Sequence, residues 1–252
     1  MLLENLTWPE VKKLKLANKV VVLPLGSFEQ HGPHLPLTTD TDLVSAVARG
    51  IERKRPAKIL CLPTLWPGHS THHLFFPGTL SVSQMPYIQL VIELCRSIVN
   101  FGARKLLLLN GHGGNDVPLR AVLRELKTEF PKTKFVFANY WSLAAASINA
   151  IRESGTGGVG HACEMETSLM LYLRPDRVKL HLARRDGPKY SDPYRKADMF
   201  YARPVYFVNE FHEVTKTGTI GHPNLATAKK GEKFFTSIVK DVTAFVDAFA
   251  KW

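Results

Sequence analysis

The chain has 252 residues, 45% hydrophobic and 22% charged, which is an ordinary globular balance and long enough for a large core without disulfide staples. Its three cysteines, Cys61, Cys95 and Cys163, form no CxxC pair, which argues against a disulfide framework and favours a reducing, cytoplasmic setting. The net charge of +11 is dispersed, and no apolar run nears the roughly 20 residues that span a bilayer, so we expect neither a nucleic-acid nor a membrane partner.

Apolar runs alternate with amphipathic stretches along the chain. In chain order the pattern predicts strand Val20–Leu25, helix Thr41–Arg53 capped by the TTDT sequence, strand Lys58–Leu62, helix Pro86–Phe101, strand Lys105–Leu109, helix Asp116–Phe130, strand Lys134–Ala138, helices Ser142–Arg152 and Glu164–Leu173, loops with an edge hairpin over Arg174–Gly221, and helix Ala226–Ala250. This alternation indicates an α/β fold with a mostly parallel sheet covered on both faces, in one domain over residues 1–252.

Histidines collect in the segments that follow the predicted strands. Seven of the ten lie there: His31, His34, His69, His72, His73, His112 and His161. Because the segments that follow parallel strands converge on one edge of a sheet, a cluster of these side chains is expected at that edge.

Four residues of these segments have the chemistry of metal ligands. Glu29 and His31 are two residues apart and would point to the same side of an extended segment. Asp40 begins a predicted helix, and His112 lies in the glycine-rich sequence NGHGGN. Imidazole and carboxylate without thiolate suit zinc, manganese or ferrous iron. Asp40 is the candidate to bridge two metals, with Asp42 as the competing candidate.

These segments resemble the creatininase (creatinine amidohydrolase) family of amidohydrolases. LGSFEQHGPHLPL at residues 25–37, followed by Thr39, Asp40 and Thr41, is similar to its first metal-binding segment. FPGT at 76–79, NGHGGN at 110–115, HACEMETS at 161–168 and GTIGHPNLATAKKG at 218–231 resemble its later signatures. Together and in this order these segments are specific, and they cover most of the chain.

The resemblance implies a three-layer αβα sandwich, commonly assembled as a homohexamer, with two divalent metal ions per subunit. Glu29, Asp40 and His112 would hold one metal, and His31 with Asp40 the second. His161 would contact the substrate or shuttle a proton, and Glu166 would act as a ligand or general base. The implied reaction is hydrolysis of a carbon–nitrogen bond outside peptides, in an amide, cyclic amide or formamide of small size, by attack of metal-bound hydroxide.

Two positions depart from the family pattern. Creatininase itself has a glutamate two residues after the NGH histidine as a ligand of the second metal, and here that residue is Gly114. Glu166 or Glu164 must then complete the second site; they lie on nearly opposite helix faces, and the motif match favours Glu166. Cys163 replaces a glycine of the fourth signature and is expected to be a buried structural residue.

The sequence also allows two other functions. The same metal site could trim a cofactor-precursor peptide, as a metallopeptidase. A non-catalytic αβα protein that binds nucleotides or nucleic acid is disfavoured, because no P-loop or GxGxxG follows a strand.

Asn115 is expected to cap a helix, His34 to support the ligands, and His73 to be the best catalytic candidate among His69, His72 and His73. Trp66, Phe75, Phe76, Tyr140 and Trp141 are core or pocket residues.

Overall fold

A parallel four-stranded sheet forms the centre of the computed structural model, which describes residues 1–190, 192, 194–195, 197–201 and 205–252. Its strands are β1 (Val20–Leu25), β2 (Ile59–Cys61), β3 (Lys105–Asn110) and β4 (Lys134–Asn139). They lie in the order β2-β1-β3-β4, and every neighbouring pair is parallel. All four predicted strands are therefore present.

Helices cover both faces of this sheet. Their bounds are α1 (Trp8–Lys13), α2 (Thr39–Lys54), α3 (Gln84–Asn100), α4 (Asp116–Glu129), α5 (Tyr140–Leu143), α6 (Ala145–Ile151), α7 (Glu164–Leu173), α8 (Phe211–Val214) and α9 (Ala228–Phe249). A separate antiparallel ribbon joins β5 (Val159–His161) to β6 (Ile220–Gly221). Within the described residues, no helix has the length and apolarity needed to cross a bilayer.

Alternate residues of β1 enter two different cores, because successive side chains of a strand point to opposite faces. Val20 and Val22 pack in the core formed with α2, α7 and α9. Val21 and Leu23 pack in the core formed with α3 and α4. This division confirms the three-layer αβα architecture.

Three predicted local features differ from the structure: one helix, one helix cap and one strand pairing. The helix predicted over Ser142–Arg152 is interrupted at Ala144, which separates α5 from α6. Thr38 precedes α2, but its hydroxyl donates to Asp42 instead of accepting from the helix, so the TTDT sequence gives no side-chain cap. Where the structure describes the segment predicted as an edge hairpin, β6 pairs with β5 and not with the central sheet; the rest of that prediction falls on residues outside the description.

The helices α7 and α9 approach closely because α9 has a glycine at the contact. A Cβ at Gly231 would overlap the carbonyl oxygen of Ser168 and lie 2.8 Å from Tyr172 Cβ. Backbone atoms cannot move aside as a flexible side chain can. This contact fixes α7, which carries residues of the site described below.

Replacing Gly231 by alanine should lower the free energy of unfolding by about 2 kcal/mol or more, because overpacking against backbone outweighs the better helix propensity of alanine. Denaturant unfolding measures the change. Gly155→Ala is the matched control, since a Cβ at Gly155 meets nothing within 4 Å. Equal stability of the two variants would mean that α7 and α9 separate without cost.

Candidate metal centre

The four residues first singled out as ligands lie at the carboxyl edge of the central sheet. Glu29 and His31 follow β1, His112 follows β3, and Asp40 is in the first turn of α2. Since β1 and β3 are neighbours, the two segments leave the sheet side by side. All four residues are buried, with no more than 4% of their surface exposed.

Asp40 lies between two groups of potential ligand atoms. In the first triad, Asp40 Oδ2 and Glu29 Oε2 each lie 3.1 Å from His112 Nδ1. In the second triad, Asp40 Oδ1 lies 3.1 Å and Glu166 Oε1 lies 3.9 Å from His31 Nε2. Within each triad the ligand atoms are all within 4.8 Å of one another. One carboxylate thus joins two places where a cation could bind.

When the triad histidines are neutral, which is the form that binds a metal, hydrogen bonds direct the lone pair of each ring inward. His112 Nε2 lies 3.1 Å from the carbonyl oxygen of His69 and must donate to it, which leaves Nδ1 as an acceptor facing the carboxylates. His31 Nδ1 lies 3.2 Å from the carbonyl oxygen of Glu29, which leaves Nε2 facing inward. Histidines that bind metals commonly donate their other ring N–H to a carbonyl or carboxylate in this way.

Two buried oxygens of the triads lack a donor. Glu29 Oε1 and Asp40 Oδ2 meet no hydrogen-bond partner in good geometry among the described residues. An unpaired carboxylate oxygen in the interior is costly, and a cation removes that cost. The triads combine imidazole with carboxylate and contain no thiolate, a set that suits zinc, manganese or ferrous iron. The residues present therefore fit a metal centre.

Glu166, and not Glu164, faces this centre. Glu164 pairs with Lys230 Nζ at 2.7 Å and accepts from two backbone N–H groups on the other side of α7. Glu166 Oε2 accepts from the backbone N–H of Cys163 at 3.3 Å, which leaves Oε1 for the second triad. The buried Cys163 thiol has a pKa well above its usual value because of desolvation, so it is unsuited to act as a nucleophile.

A strained residue turns the chain between the ribbon and α7. Ala162 has φ of +49°, in the left-handed region that residues other than glycine rarely adopt. It separates His161, the last residue of β5, from the N-cap of α7. Backbone strain of this kind persists where the surroundings enforce it, and here the turn directs both His161 and Glu166 to one place.

Two more histidines face Glu29 from outside the triads. His73 Nε2 lies 3.3 Å and His161 Nδ1 lies 3.7 Å from Glu29 Oε1. His161 Nε2 lies 2.7 Å from the carbonyl oxygen of Gln30 and donates to it, so its Nδ1 is an acceptor. With Glu29 and His31, His161 forms a third group of atoms within ligand distance.

Sequence reasoning missed three polar residues around Glu29. Ser27 Oγ donates to Glu29 Oε2 at 3.0 Å, and Ser70 Oγ lies 2.5 Å from Ser27 Oγ. Gln30 contacts both His73 and His161. The available signal was position alone, since Ser27 and Gln30 lie within the motif that contains Glu29 and His31.

The other polar residues named from the sequence support the site or lie outside it. His34 Nε2 lies 2.9 Å from Thr167 Oγ1 and links the loop after β1 to α7. Asp42 faces Arg177 at 3.6 Å, so it is no rival to Asp40 as the bridge. The predicted capping role of Asn115 is wrong: this residue has helical backbone angles and makes no cap hydrogen bond. Its side chain instead accepts from the N–H of His69 and donates to the carbonyl of Gly26.

The aromatic residues named from the sequence separate into two groups. Tyr140 and Trp141 are buried in the core with α7 and α9. Trp66 and Phe75 are 48% and 68% exposed. Phe75 stacks on His212 of α8, with ring centroids 4.3 Å apart.

Gly114 leaves no room for a side chain. A Cβ there would lie 2.6 Å from His72 Cε1 and would overlap the carbonyl oxygen of His69 and the ring of His112. The turn Thr71–His73 occupies this space, and the His72 ring stacks on His112 with centroids 5.7 Å apart. A ligand contributed from position 114 is therefore excluded by packing as well as by residue type.

The short helix α8 covers the histidines of the centre. The Phe211 ring lies 3.8 Å from the His73 ring, 4.8 Å from the His161 ring and 5.5 Å from the His72 ring, measured between centroids. Burial, with the neighbouring histidines, lowers the pKa of His161 to about 3 and that of His72 to about 4. These rings are therefore neutral near pH 7.

A cavity of about 740 Å³ lies elsewhere, against the β5–β6 ribbon. Arg185, Lys189, Arg195 and Asp186 are among its lining residues. Asp186 already accepts from Thr215 and Thr217, in the segment that follows α8. No residue of the two triads is among those described as lining this cavity, so it is separate from the metal centre.

Comparisons with known proteins show the family of this chain. The family model described as Creatininase, creatinine amidohydrolase, matches residues 4–246. The chain is 31% identical over 253 residues to the mycofactocin precursor peptide peptidase of Mycobacterium ulcerans (strain Agy99), across 98% of this chain and 86% of that protein. It is 30% identical to the creatinine amidohydrolase of Pseudomonas putida, across 94% of this chain and 93% of that protein.

Solved structures show the same fold. A crystal structure of creatinine amidohydrolase (creatininase) superposes with a TM-score of 0.81 at 28% identity, covering 98% of this chain and 96% of that chain. A structure named Creatininase Mn also gives 0.81 at 28% identity, covering 98% and 97%. A variant creatininase of similar fold is described as the Zn-Zn type.

In the metal-free protein, the charges of the triads stabilise one another. Burial of His31 opposes its charged form, but the carboxylates of Asp40, Glu166 and Glu29 together outweigh burial and raise the His31 pKa from 6.5 to about 9. The pKa of His112 is likewise raised well above its usual value, against burial, chiefly by Glu29. Burial would raise the pKa of Glu29, but His112 and His73 hold it well below its usual value.

Metal-free protein should therefore lose stability as pH rises from 6.5 to beyond about 9. A histidine with a raised pKa in the folded state stabilises the fold fully below its unfolded pKa and stops doing so above the folded one. Denaturant unfolding after treatment with a chelator measures the loss. His31→Gln should remove part of this dependence, and a free energy of unfolding that is constant across the window would contradict the ion-pair geometry.

Proposed function

Because the chain belongs to the creatinine amidohydrolase family, we propose that it is a metal-dependent hydrolase that cleaves the carbon–nitrogen bond of a small amide, cyclic amide or formamide. The observation that carries the proposal is the pair of buried triads that share Asp40. Such an arrangement would hold two cations close together, as two-metal hydrolases require. A deformylase from Methanothermus fervidus is 31% identical over 114 residues, which are 44% of this chain and 44% of that protein. This relative supports formamides as candidate substrates.

We infer the ligands from the two triads. Glu29, Asp40 and His112 would hold one cation, and His31, Asp40 and Glu166 the other. Bound divalent cations polarise the carbonyl of a substrate and lower the pKa of an attacking water. Asp40 would bridge them, since its two oxygens face different histidines.

The remaining residues of the centre would handle substrate and proton. His161 Nδ1 is an acceptor directed at the centre, so it can accept a hydrogen bond from an N–H of the substrate. As the alternative to binding the second cation, Glu166 Oε1 on the edge of the second triad can take a proton from the attacking water and return it to the departing nitrogen. Phe211 and the histidines beneath it would exclude water from the reacting bond.

A second candidate is removal of residues from the end of a peptide. The relative from Mycobacterium ulcerans is a peptide peptidase, and it matches 98% of this chain. Apolar side chains are also exposed near the centre, including Leu74 at 55% and Phe75 at 68%. An extended substrate with apolar residues could bind across such a surface.

Asp40→Asn should remove most bound metal and all measurable turnover, because it weakens both triads at once. Metal content by plasma mass spectrometry, on protein purified without a metal-affinity tag, is the first readout. Asp42→Asn is the matched control: it makes the same chemical change two residues away, at a carboxylate that faces Arg177 instead of the centre. The control should keep both metal and activity.

Glu29→Ala should remove the first cation and leave the second triad intact, so its metal content should be about half that of wild type if two ions bind. Wild-type protein that contains no metal and takes up none on addition would overturn the proposed function. Equal metal content in wild type and Asp40→Asn would overturn the hypothesis that the two cations share Asp40.

A substrate panel separates the two candidates. We expect turnover of cyclic amides or formamides, and their hydrolysis can be followed by mass spectrometry of the products. Short peptides with apolar ends form the other arm. Turnover confined to the peptide arm would replace the first candidate by the second, and it would leave the metal centre unaffected.

A further inference from the structure

Gln30 lies at the middle of a hydrogen-bond network beneath the centre, and its amide can adopt one orientation only. The backbone N–H of Gly32 lies 3.0 Å from Oε1 and can only donate. The carbonyl oxygen of Gly218 lies 3.1 Å from Nε2 and can only accept. If the amide oxygen and nitrogen were exchanged, the amide oxygen would face the carbonyl oxygen of Gly218, and the amide nitrogen would face the N–H of Gly32. Neither pair could form a hydrogen bond. The amide is therefore assigned by its backbone partners.

The amide nitrogen has two hydrogens, and both have acceptors. One is donated to Gly218, and the other to His73 Nδ1 at 2.8 Å. His161 Nε2 also lies 3.2 Å from the amide nitrogen, but its own hydrogen is donated to the Gln30 carbonyl at 2.7 Å. Each hydrogen of this cluster thus has one acceptor, and His73 Nδ1 must carry a lone pair.

We propose that Gln30 is a positioning residue that fixes the ring proton of His73 on Nε2, so that His73 presents an N–H toward Glu29 and does not bind metal. With Nδ1 accepting from Gln30, the N–H of neutral His73 is on Nε2, which lies 3.3 Å from Glu29 Oε1. The other oxygen of Glu29 faces His112 at 3.1 Å. His73 thereby directs an N–H toward one oxygen of Glu29 at ion-pair distance, while the other oxygen is directed at the first triad.

Gln30 gives His73 the opposite role from its neighbours. In their neutral, metal-binding form, His31 and His112 donate outward to backbone carbonyls and present lone pairs to the centre. His73 accepts outward from an amide and presents a hydrogen. The chemistry of the outer partner, carbonyl or amide N–H, thus decides which imidazoles can act as ligands.

The surroundings hold the Gln30 side chain in place. Gly218 has φ of +81°, and a Cβ there would overlap the Gln30 amide, so the loop is in direct contact with it. Gln30 is 5% exposed and His73 1% exposed, which limits competition from water. The tautomer of His73 is consequently a property of the metal-free protein. Only its effect on ligand geometry rests on the proposed function.

Gln30→Glu tests the assignment, because a carboxylate can accept from His73 Nδ1 but cannot donate to it. The His73 proton should move to Nδ1. Solid-state nitrogen NMR of sedimented, metal-free protein labelled at histidine reports which ring nitrogen is protonated, with His73→Phe identifying the signals. Wild type should show the proton on Nε2, and Gln30→Met should show no fixed tautomer.

Zinc affinity provides a second readout. Gln30→Glu should weaken zinc binding about 10- to 100-fold, the usual effect of losing a residue that orients a ligand. Gln84→Glu is the matched control, since Gln84 is exposed at the start of α3. It should leave the His73 tautomer and zinc affinity unchanged.

A proton on Nδ1 of His73 in wild type would overturn the proposal, and so would an unchanged tautomer in both Gln30 variants. Should Gln30→Glu fail to fold, Gln30→Met decides the question by the same spectra. Wild type that binds no zinc would refute the metal centre alone, because the NMR result is obtained without metal and still decides the tautomer.

Discussion

Three carboxylates that meet in the interior constrain the rest of this structure. Glu29, Asp40 and Glu166 are buried around two histidines, and two of their oxygens have no donor among the described residues. Without a cation, the protein must neutralise this charge by protonating His31 and His112, whose pKa values are raised accordingly. Metal ions and protons therefore compete for the same lone pairs, which couples metal binding to pH and to folding stability.

The fold positions this cluster with elements that cannot move independently. Two ligand segments leave adjacent parallel strands, Asp40 is held in the first turn of α2, and Glu166 is held near the start of α7. The strained turn at Ala162 and the close contact at Gly231 both act on α7. Backbone strain persists where the surroundings enforce it. The free-energy cost of these two features is consistent with a site in which the segment that carries Glu166 must reach the segments that carry Glu29, Asp40 and His112.

The sequence was most informative where one physical signal dominated. Strands β1, β2 and β3 are buried and almost continuously apolar, and the half-buried β4 is apolar over residues 135–138, so all four were recognisable. Parallel order then brought Glu29, His31, Asp40 and His112 to one edge. The ribbon was not recognisable, because β5 and β6 are very short and depend on each other across a long separation in sequence. Asn115 had the composition of a helix cap, but the turn before α4 gave it helical backbone angles and directed its side chain to two other loops.

Gln30 shows a different limit of sequence reasoning. Its role depends on which end of an amide faces which partner, and this is decided by Gly32 and Gly218, one adjacent and one distant in sequence. Composition and spacing identify histidines near a metal site, but they cannot say which nitrogen carries the proton. In this centre the outer hydrogen bonds carry that information. The histidines that donate to carbonyls are available to a cation, and the histidine that accepts from an amide is not.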